Sequence, residues 1–404
     1  MSATESLRIP PSTATVQVSI IDTTLDGTLP TAPFMGPPIR GFETWHGVGY
    51  AFLVTRTDAQ GGRRRVVFDL GLPTDWANDF SPPVIEAVKQ MGGAMTARKY
   101  VSEILTENGV DLEGIEAVFW SHTHPDHIGR PSLFPASTAL VVGPGVKEAY
   151  FPGWPAVPDA PVLAREFEGR EVRELDFSSG GDASGVAAGL EIGGLRALDY
   201  FGDGSFYLLS APGHAVGHIN ALARTTAAGA SADGSGSGGS SSSFIYMAGD
   251  SFHHASVLRP HAGARLPKEV RLPGFCCAGR AFHAVHPLGG NVAAQPGPAV
   301  DGSDGDGDAD AESTAFHTIP GTDAGEAPLA LDVGEARRTL AAVRRFDASP
   351  DVLVVAAHDD SLYGVVEFFP RDASGWRGKG WKESGRWLFL RDLRTPVEMA
   401  GASA

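Results

Sequence analysis

The stretch Ser121-His122-Thr123-His124-Pro125-Asp126-His127 decides the interpretation of this chain, and it follows directly on the apolar run 115–120. Three histidines and one aspartate within six residues form a pattern typical of metal ligands. His122 and His124 are two residues apart, so both side chains can turn toward one ion from an extended segment. Asp126 and His127 follow one turn later and can face a second ion beside the first. The spacing therefore predicts a metal centre, whereas a histidine-rich surface loop would need no such pattern.

The composition limits the classes of partner and compartment. The chain has 404 residues, 42% of them hydrophobic, and is therefore long enough to bury a large core. Its formal net charge of −16 repels nucleic-acid backbones and anionic membranes, so we expect neither as a partner. The two cysteines, Cys276 and Cys277, are adjacent, which favours a reducing compartment over a disulfide framework. Because residues 1–13 contain no secretory signal pattern and no long apolar run occurs, we expect a soluble, cytoplasmic protein.

Alternating and continuous apolar runs predict a chain rich in strands, with few helices. Residues 190–200 are predicted as one strand, and the segments 30–40 and 147–164 as loops. The remaining predicted strands are 16–21, 50–55, 65–70, 115–120, 138–142, 171–177, 206–210, 219–224, 244–248 and 352–357. Helices are predicted at 84–91, 96–108 and 335–345.

Two low-complexity segments interrupt this pattern. Residues 227–243 are rich in glycine and serine, and residues 289–328 include the acidic tract 301–312. Neither segment contains enough apolar residues to join a core, so we expect both to be dispensable insertions. The acidic tract lacks the residue order of an EF-hand loop, and its role stays open. We therefore predict one domain, 14–370, that contains both insertions, and an extension at 371–404 that packs on the same domain.

Several potential ligands share one local position, directly after a predicted strand. This holds for Asp69, the cluster at 122–127, His214, Asp250 and His358, which are spread widely along the chain. Taken alone, an isolated histidine in a loop is more often a satisfied polar residue than a ligand. Because all of these residues follow strand ends, we expect them to meet in one site at the rim of the sheets.

Four motifs in this order carry a resemblance to a known family: HTHPDH at 122–127, PGHAVGH at 212–218, AGD at 248–250 and AHD at 357–359. In these motifs the chain resembles the metallo-β-lactamase superfamily, over about residues 16–369 without the two insertions. The resemblance implies an α+β fold, a four-layer αββα sandwich of two mixed sheets with helices outside. The predicted strands and helices are compatible with that architecture.

The resemblance also implies two divalent metal ions per chain, which we expect to be zinc. Imidazole and carboxylate ligands suit zinc, although ligand type alone leaves iron and manganese open. The first ion would have the ligands His122, His124 and His214, the second Asp126, His127 and His358, with Asp250 bridging both. Asp126 would also handle the proton during the reaction, and Asp69 would orient one of the ligand histidines.

The residue type at position 250 differs between branches of this family. The commonest di-zinc β-lactamases have cysteine at this position, whereas aspartate resembles other hydrolases: lactonases, glyoxalase-II-like thioesterases, phosphodiesterases and tRNA 3′-end nucleases. The nucleases act on a polyanion, and the sequence has no basic segment that suits one. The run 201–214 is most similar to N-acyl-homoserine lactonases and their fungal relatives. Many of these lactonases have tyrosine three residues after the bridging aspartate, where this chain has His253.

We therefore predict a dinuclear metal-dependent hydrolase that opens a lactone by attack of a metal-bridging hydroxide, with His253 as donor to the developing oxyanion. Its partner would be a small-molecule lactone, ester or thioester. Two alternatives are a thioesterase or esterase of the same fold, and a non-catalytic binding protein whose acidic insertion recruits partners. The acyl chain, the physiological metal, the oligomeric state and the roles of His218 and His254 stay open. Trp45, His46 and Trp120 are candidates to line a pocket, although such aromatic residues usually belong to the core.

Overall fold

Two six-stranded sheets form the centre of this computed structural model, which describes residues 7–178, 187–229, 241–288, 310–321 and 328–402. In spatial order, the first sheet contains β1 (Val16–Asp22), β4 (Tyr50–Thr57), β5 (Arg63–Phe68), β7 (Ile115–Phe119), β8 (Ala139–Val142) and β9 (Val172–Glu174). β1, β4 and β5 are antiparallel neighbours, whereas β5, β7, β8 and β9 run parallel. The parallel part brings the C-terminal ends of β5 and β7 side by side, where Asp69 and the stretch 121–127 follow.

In the second sheet, potential ligands likewise follow the C-terminal ends of two parallel strands. In spatial order it contains β10 (Ala187–Ile192), β11 (Leu195–Asp199), β12 (Phe206–Ser210), β13 (Ile219–Thr226), β14 (Ser243–Met247) and β17 (Val352–Val355). The strands β10 to β14 form an antiparallel meander, and β17 adds to β14 in parallel. Because β14 and β17 are parallel neighbours, Asp250 and His358 follow at the same edge of this sheet.

Five short strands form two smaller sheets that the sequence patterns did not predict. In the three-stranded antiparallel sheet, β2 (Asp26–Pro30) lies between β3 (Thr44–Gly47) and β6 (Ala94–Thr96). A separate hairpin consists of β15 (Glu269–Leu272) and β16 (Phe275–Ala278). The segments are three to five residues long, and β2 contains both glycine and proline, which are depleted in strands. Local patterns are therefore too weak to reveal them.

Helices cover the outer faces of both large sheets. Those in the described chain are α1 (Trp76–Asp79), α2 (Pro82–Met91), α3 (Val101–Glu107), α4 (Pro125–Ile128), α5 (Val146–Tyr150), α6 (Ala255–Leu258), α7 (Val333–Ala348), α8 (Trp381–Gly385) and α9 (Arg394–Ala402). The longest, α7, begins where the Asp332 side chain accepts a hydrogen bond from the Glu335 N–H at 2.9 Å. It supplies part of the crossover that the parallel pair β14 and β17 requires.

The apolar side chains form three layers of core, as expected for two stacked sheets with helices outside. Successive residues of one strand point to different layers: Phe68 packs between the two sheets, and Val67 packs on the outer face of the first sheet. Val343 and Phe346 of α7 pack on the outer face of the second sheet. The predicted α+β fold, a four-layer αββα sandwich, is confirmed. Among the described residues, no helix is both long and apolar enough to cross a membrane.

The prediction of one strand at 190–200 is wrong, because β10 and β11 form a hairpin within it. Gly193 and Gly194 connect them with φ angles of 59° and 86°, in the left-handed region. Glycine adopts that region without steric cost, and a Gly-Gly pair between apolar runs is itself a hairpin signal. The apolar pattern on both sides concealed the turn.

The prediction that nothing in 289–328 joins a core is also wrong for residues 310–321. Phe316 is fully buried and Ile319 is 9% exposed, and both belong to the core on the outer face of the second sheet. The rest of this segment and residues 230–240 of the first insertion lie outside the described residues, whereas Ser243 already belongs to β14. Parts of the C-terminal extension also pack in the core, including Trp376 between the sheets.

Candidate metal centre

The predicted ligands all lie directly after strands or in the turns that follow them. The stretch 122–127 comes after β7, His214 after β12, Asp250 after β14 and His358 after β17. α4 begins immediately after His124, with proline in its first turn, where the missing N–H leaves no helical hydrogen bond unmade. The two sheets therefore bring all seven side chains to one rim, where two groups of potential ligands form.

The first group contains His122, His124, His214 and Asp250, each with one ligand atom within 4.8 Å of the others. His214 Nε2 lies 3.1 Å from His122 Nε2 and 2.9 Å from His124 Nδ1. Ring nitrogens at such separations need a proton or a cation between them, because their lone pairs repel. Three imidazole nitrogens and one carboxylate oxygen form a donor set that suits four-coordinate zinc.

The second group contains Asp126, His127 and His358, whose ligand atoms also lie within 4.8 Å of one another. His358 Nε2 lies 3.4 Å from Asp126 Oδ2, and His127 Nε2 lies 3.9 Å from Asp126 Oδ1. The ring of His127 is only 4.2 Å from that of His122, centre to centre. The two groups are therefore neighbours, as a dinuclear centre requires.

Asp250 divides its two carboxylate oxygens between the two groups. Its Oδ2 lies 3.4 Å from His214 Nε2 and 3.6 Å from His122 Nε2. Its Oδ1 lies 3.1 Å from His127 Nε2 and 3.2 Å from His358 Nε2. One oxygen thus faces each group, which is the arrangement of a bridging carboxylate.

Asp69 orients His127 from outside the two groups. Asp69 Oδ2 accepts hydrogen bonds from His127 Nδ1–H and the Ser121 hydroxyl, both at 2.8 Å, and its Oδ1 accepts from the Ser121 N–H at 2.7 Å. The bond to Nδ1 leaves His127 Nε2 free for a metal ion. Asp69 itself has a φ of 61°, which is uncommon for a residue other than glycine, so this contact is built on a strained backbone. Ser121, to which the sequence motifs assign no role, holds the other side of this carboxylate.

Two further contacts fix the opposite side of the centre. His358 Nδ1 donates to the Val48 carbonyl oxygen at 2.7 Å, which leaves its Nε2 directed at Asp250. His218, whose role the sequence left open, is buried: its Nδ1 donates to the Ala211 carbonyl oxygen at 2.7 Å, and its Nε2 accepts the Asp250 N–H at 3.0 Å. His218 therefore holds the backbone of Asp250 rather than facing solvent.

Burial and neighbouring charges divide the histidines into two classes. Burial lowers the pKa of His124 to about 4 and holds the pKa of His122 and His214 well below the usual range. Burial also acts against the charged form of His127 and His358, but the charge and hydrogen bond of Asp250, together with Asp69 at His127 and Asp126 at His358, outweigh it and raise the pKa of both histidines. The surroundings of Asp250 therefore favour positive charge, and a metal ion bound there would replace the protons of His127 and His358.

The buried polar atoms at the centre fit metal ions. His127 Nε2 and Asp250 Oδ1 are buried and have no hydrogen-bond partner of acceptable geometry within the described part of the chain. Buried polar atoms are normally satisfied, and a bound ion is one of the ordinary explanations of an exception. Both atoms are electron-pair donors in the arrangement described above, so a divalent cation between them satisfies both.

His253 lies beside the two groups without belonging to either. Its ring is parallel to that of His358, with planes 3° apart and centres 5.7 Å apart. Its Nε2 lies 3.1 Å from Asp250 Oδ2, and its ring packs edge-to-face with Phe34 at 4.7 Å. The side chain is thus close enough to the centre to contact a bound molecule.

His254, its neighbour in sequence, points to a different region. Its Nδ1 accepts the Ser256 N–H at 3.2 Å, which caps the start of α6, and its Nε2 lies 3.1 Å from Asp392 Oδ2. The ring packs on Phe42 and Phe389. His254 therefore links α6 to the C-terminal segment and has a structural role.

A narrow cavity adjoins the Asp250 side of the centre. Its volume is about 20 Å³, room for about one water molecule. His214, Asp250 and His253 line its polar side, and Phe34 and Ile319 belong to its apolar side. Ile319 belongs to the predicted insertion 289–328, so part of that segment lines the cavity.

Comparison with known proteins gives the following similarities. The family model described as metallo-beta-lactamase superfamily matches residues 45–227. A protein of Fusarium pseudograminearum (strain CS3096) named gamma-lactamase FDB1 is 37% identical over 97% of this chain and 87% of its own length. A protein of Annulohypoxylon moriforme named metallo-hydrolase mfmC is 37% identical over 96% of this chain and 90% of its own length. A solved quorum-quenching N-acyl homoserine lactone hydrolase superposes with a TM-score of 0.47 and 12% identity, over 89% of this chain and 99% of that one.

Proposed function

This chain belongs to the metallo-β-lactamase superfamily, and from that premise we propose that it is a dinuclear metal-dependent hydrolase that opens a small cyclic ester. The observation that carries the proposal is the division of the Asp250 carboxylate. One oxygen faces His122 and His214, and the other faces His127 and His358. A bridging carboxylate between two sets of imidazoles has a clear use only if two cations lie on its two sides.

In this proposal the seven side chains hold two divalent ions, with zinc as the favoured metal because nitrogen donors dominate. The ligands are His122, His124, His214, Asp126, His127, His358 and the bridging Asp250. When bound, the two ions supply a hydroxide at neutral pH and polarise the carbonyl that it attacks. Asp69, His218 and the Val48 carbonyl keep the ligands in place.

Two further side chains act on the substrate directly. Asp126 is the more exposed carboxylate of the centre, with 15% of its side chain accessible, so it can hold a proton and deliver it to the leaving group. His253 can donate from its imidazole to the oxygen on which negative charge develops. Such a donor takes the place of the tyrosine that many lactonases have at this position.

A second candidate substrate is a γ-lactam, because relatives along almost the whole chain include a protein named gamma-lactamase. Ring opening of an ester and of an amide begins with the same attack on the carbonyl. The amide differs in its leaving nitrogen, which must be protonated to depart. Asp126 is the residue of the centre suited to that protonation.

The proposal is tested with the full chain loaded with zinc. The panel consists of γ-lactones, N-acyl-homoserine lactones, γ-lactams, thioesters, phosphodiesters and β-lactams. We expect turnover of at least one lactone or γ-lactam that is lost with Asp250→Asn, because the amide keeps the shape of the carboxylate but not its charge. A thioester as the best substrate would instead support the glyoxalase-II-like alternative. A zinc-loaded protein that binds small molecules but opens nothing in the panel would support the non-catalytic alternative.

A further inference from the structure

Trp45 carries a buried hydrogen-bond donor next to the proposed metal centre. The side chain is 4% exposed, and its indole Nε1–H has no acceptor within the described part of the chain. Its ring centre lies 6.1 Å from that of His358 and 6.4 Å from that of His253. An unsatisfied buried donor destabilises the folded state, so each one in a native structure calls for an explanation.

The local fold holds this tryptophan firmly. Trp45 lies in β3, where exposed and buried residues alternate, so Trp45 points inward and its neighbour His46 points outward. It pairs with Leu29 of β2. Just beyond the end of β3, the Val48 carbonyl oxygen accepts the hydrogen bond from His358 Nδ1. The segment that carries Trp45 is thus attached directly to a proposed metal ligand.

The chemistry of the indole limits what can satisfy it. Four of the buried unsatisfied side-chain atoms of the described chain belong to the centre or its surroundings: His127 Nε2, Asp250 Oδ1, His253 Nε2 and Trp45 Nε1. The first two can bind a cation through lone pairs. The indole N–H is a donor only and has no lone pair to offer a metal ion. Because no acceptor among the described residues satisfies it, its partner is an acceptor atom from outside that part of the chain.

We propose that Trp45 is a substrate-recognising residue, whose Nε1–H donates a hydrogen bond to an oxygen or nitrogen acceptor of the substrate. The substrate would then be a cyclic acyl compound with an acceptor in reach of Trp45. The ring of Phe34, 5.3 Å from Trp45 and 4.7 Å from His253 in edge-to-face contacts, closes the apolar side of this subsite. The inference rests on the proposed function, because it requires a ligand bound at the metal centre.

The test follows the indole proton directly. Zinc-loaded, ¹⁵N-labelled full chain is titrated with benzohydroxamate, which binds metal ions through its two oxygens and offers them as acceptors. The chain has seven tryptophans, so seven indole N–H resonances are expected. The Trp45 resonance is identified by its loss in Trp45→Phe and, if that variant does not fold, by its contacts with the ring protons of His358. We expect this proton to shift downfield as benzohydroxamate binds.

Affinity provides the second readout. Trp45→Phe removes the donor but keeps an aromatic ring, so it should weaken benzohydroxamate binding about threefold to tenfold at unchanged zinc content. Trp376→Phe is the matched control, because Trp376 Nε1 is also buried and unsatisfied but lies in the core between the two sheets. Its affinity for the hydroxamate should equal that of the parent.

The outcomes separate the inference from the function on which it rests. If benzohydroxamate binds while the Trp45 proton does not shift, or if Trp45→Phe binds as tightly as the parent, Trp45 is a core residue and the inference is wrong. If the parent holds no zinc, the metal centre itself is refuted and the inference falls with it. If zinc-loaded parent does not bind the hydroxamate at all, the metal centre stands, but it is closed to such a ligand and the inference is wrong.

Discussion

His218 and Asp250 are joined by a hydrogen bond in which His218 Nε2 accepts the backbone N–H of Asp250 at 3.0 Å. The other ring nitrogen, Nδ1, donates to the Ala211 carbonyl oxygen at 2.7 Å, which fixes the tautomer of the ring. Burial lowers the pKa of His218 to about 4, so the ring is neutral near pH 7 and keeps its acceptor. A turn next to one proposed ligand, His214, is thereby tied to the backbone of Asp250, the proposed bridging carboxylate.

Replacing His218 should weaken metal binding without removing any ligand. His218→Ala leaves the Asp250 N–H and the Ala211 carbonyl oxygen buried without partners, so Asp250 loses its fixed position. We expect metal affinity and turnover to fall about tenfold to a hundredfold, as with other residues that orient ligands. Zinc retained after competition with a chelator measures the first effect.

His218→Gln is the matched control for that experiment. A carboxamide also offers one donor and one acceptor separated by a single carbon atom, so it can replace both hydrogen bonds. It should retain more zinc than His218→Ala at the same chelator concentration. Equal zinc content in the parent and His218→Ala would show that the hydrogen bond does not position Asp250.

The metal content of the parent should approach two ions per chain. This number follows from the two groups of ligand atoms on either side of Asp250. His122→Ala should lower both the metal content and the turnover, because its Nε2 faces His214 and Asp250 together. Elemental analysis of gently purified protein measures the content, and a fully active protein without transition metal would refute the assignment.

His253→Ala should lower kcat on the true substrate about tenfold to a thousandfold while both metal ions stay bound. The reason is that a donor to the developing oxyanion acts more strongly in the transition state than in the substrate complex. His253→Tyr, which introduces the residue common in lactonases, should retain or raise activity on acyl-homoserine lactones relative to thioesters.

His254→Ala is the control for His253. Because His254 caps α6 and contacts Asp392, its loss should lower the melting temperature and leave kcat of the folded enzyme close to the parent value. Unchanged turnover of His253→Ala on every lactone that the enzyme opens would remove the proposed role of His253.

The two insertions should now differ in their tolerance of change. Replacing residues 230–240 with a short Gly/Ser linker should leave the melting temperature and turnover close to the parent, because β13 and β14 still pair on both sides. Phe316→Ala should instead destabilise the fold by about 3–5 kcal/mol, because a fully buried aromatic side chain is removed from the core. Urea unfolding of both variants measures the difference, and equal stability of Phe316→Ala and the parent would contradict this account.

Stability should depend on pH through His46, which lies between Asp26 and Asp360. Burial lowers the pKa of His46, but the hydrogen bonds to both carboxylates outweigh it, and the net effect raises the pKa. Because the pKa is raised, the contribution of protonated His46 to the stability of the fold is fully present below the ordinary pKa of about 6.5. This contribution is lost as the pH rises through the pKa of the folded state. The melting temperature of His46→Gln should therefore approach that of the parent as the pH rises from about 6 to about 9. A difference that grows with pH would contradict the assignment.

Much of the fold was predictable because short, local sequence patterns indicate its strands and helices. The buried strands that carry the centre, such as β7 and β12, are continuous apolar runs, and α7 has a clear helical period. The small sheet with Trp45 was not predictable, because β2 and β3 are stabilised by each other and by the core rather than by their own propensities. The hairpin at Gly193 was missed although its glycine pair was visible.

The sequence by itself determined which residues are candidates for the proposed centre, because ligand chemistry depends on residue type and the motif 122–127 fixes part of the spacing. Only the tertiary structure decided how those residues are held. The hydrogen bonds of Asp69 to His127, of His218 to Asp250 and of Val48 to His358 join positions 32 to 310 residues apart. The burial of Phe316 and the unsatisfied indole of Trp45 arise in the same way. Such contacts depend on which strands become neighbours. The packing of the two sheets determines those neighbours for the whole chain together, so no short stretch of sequence contains that information.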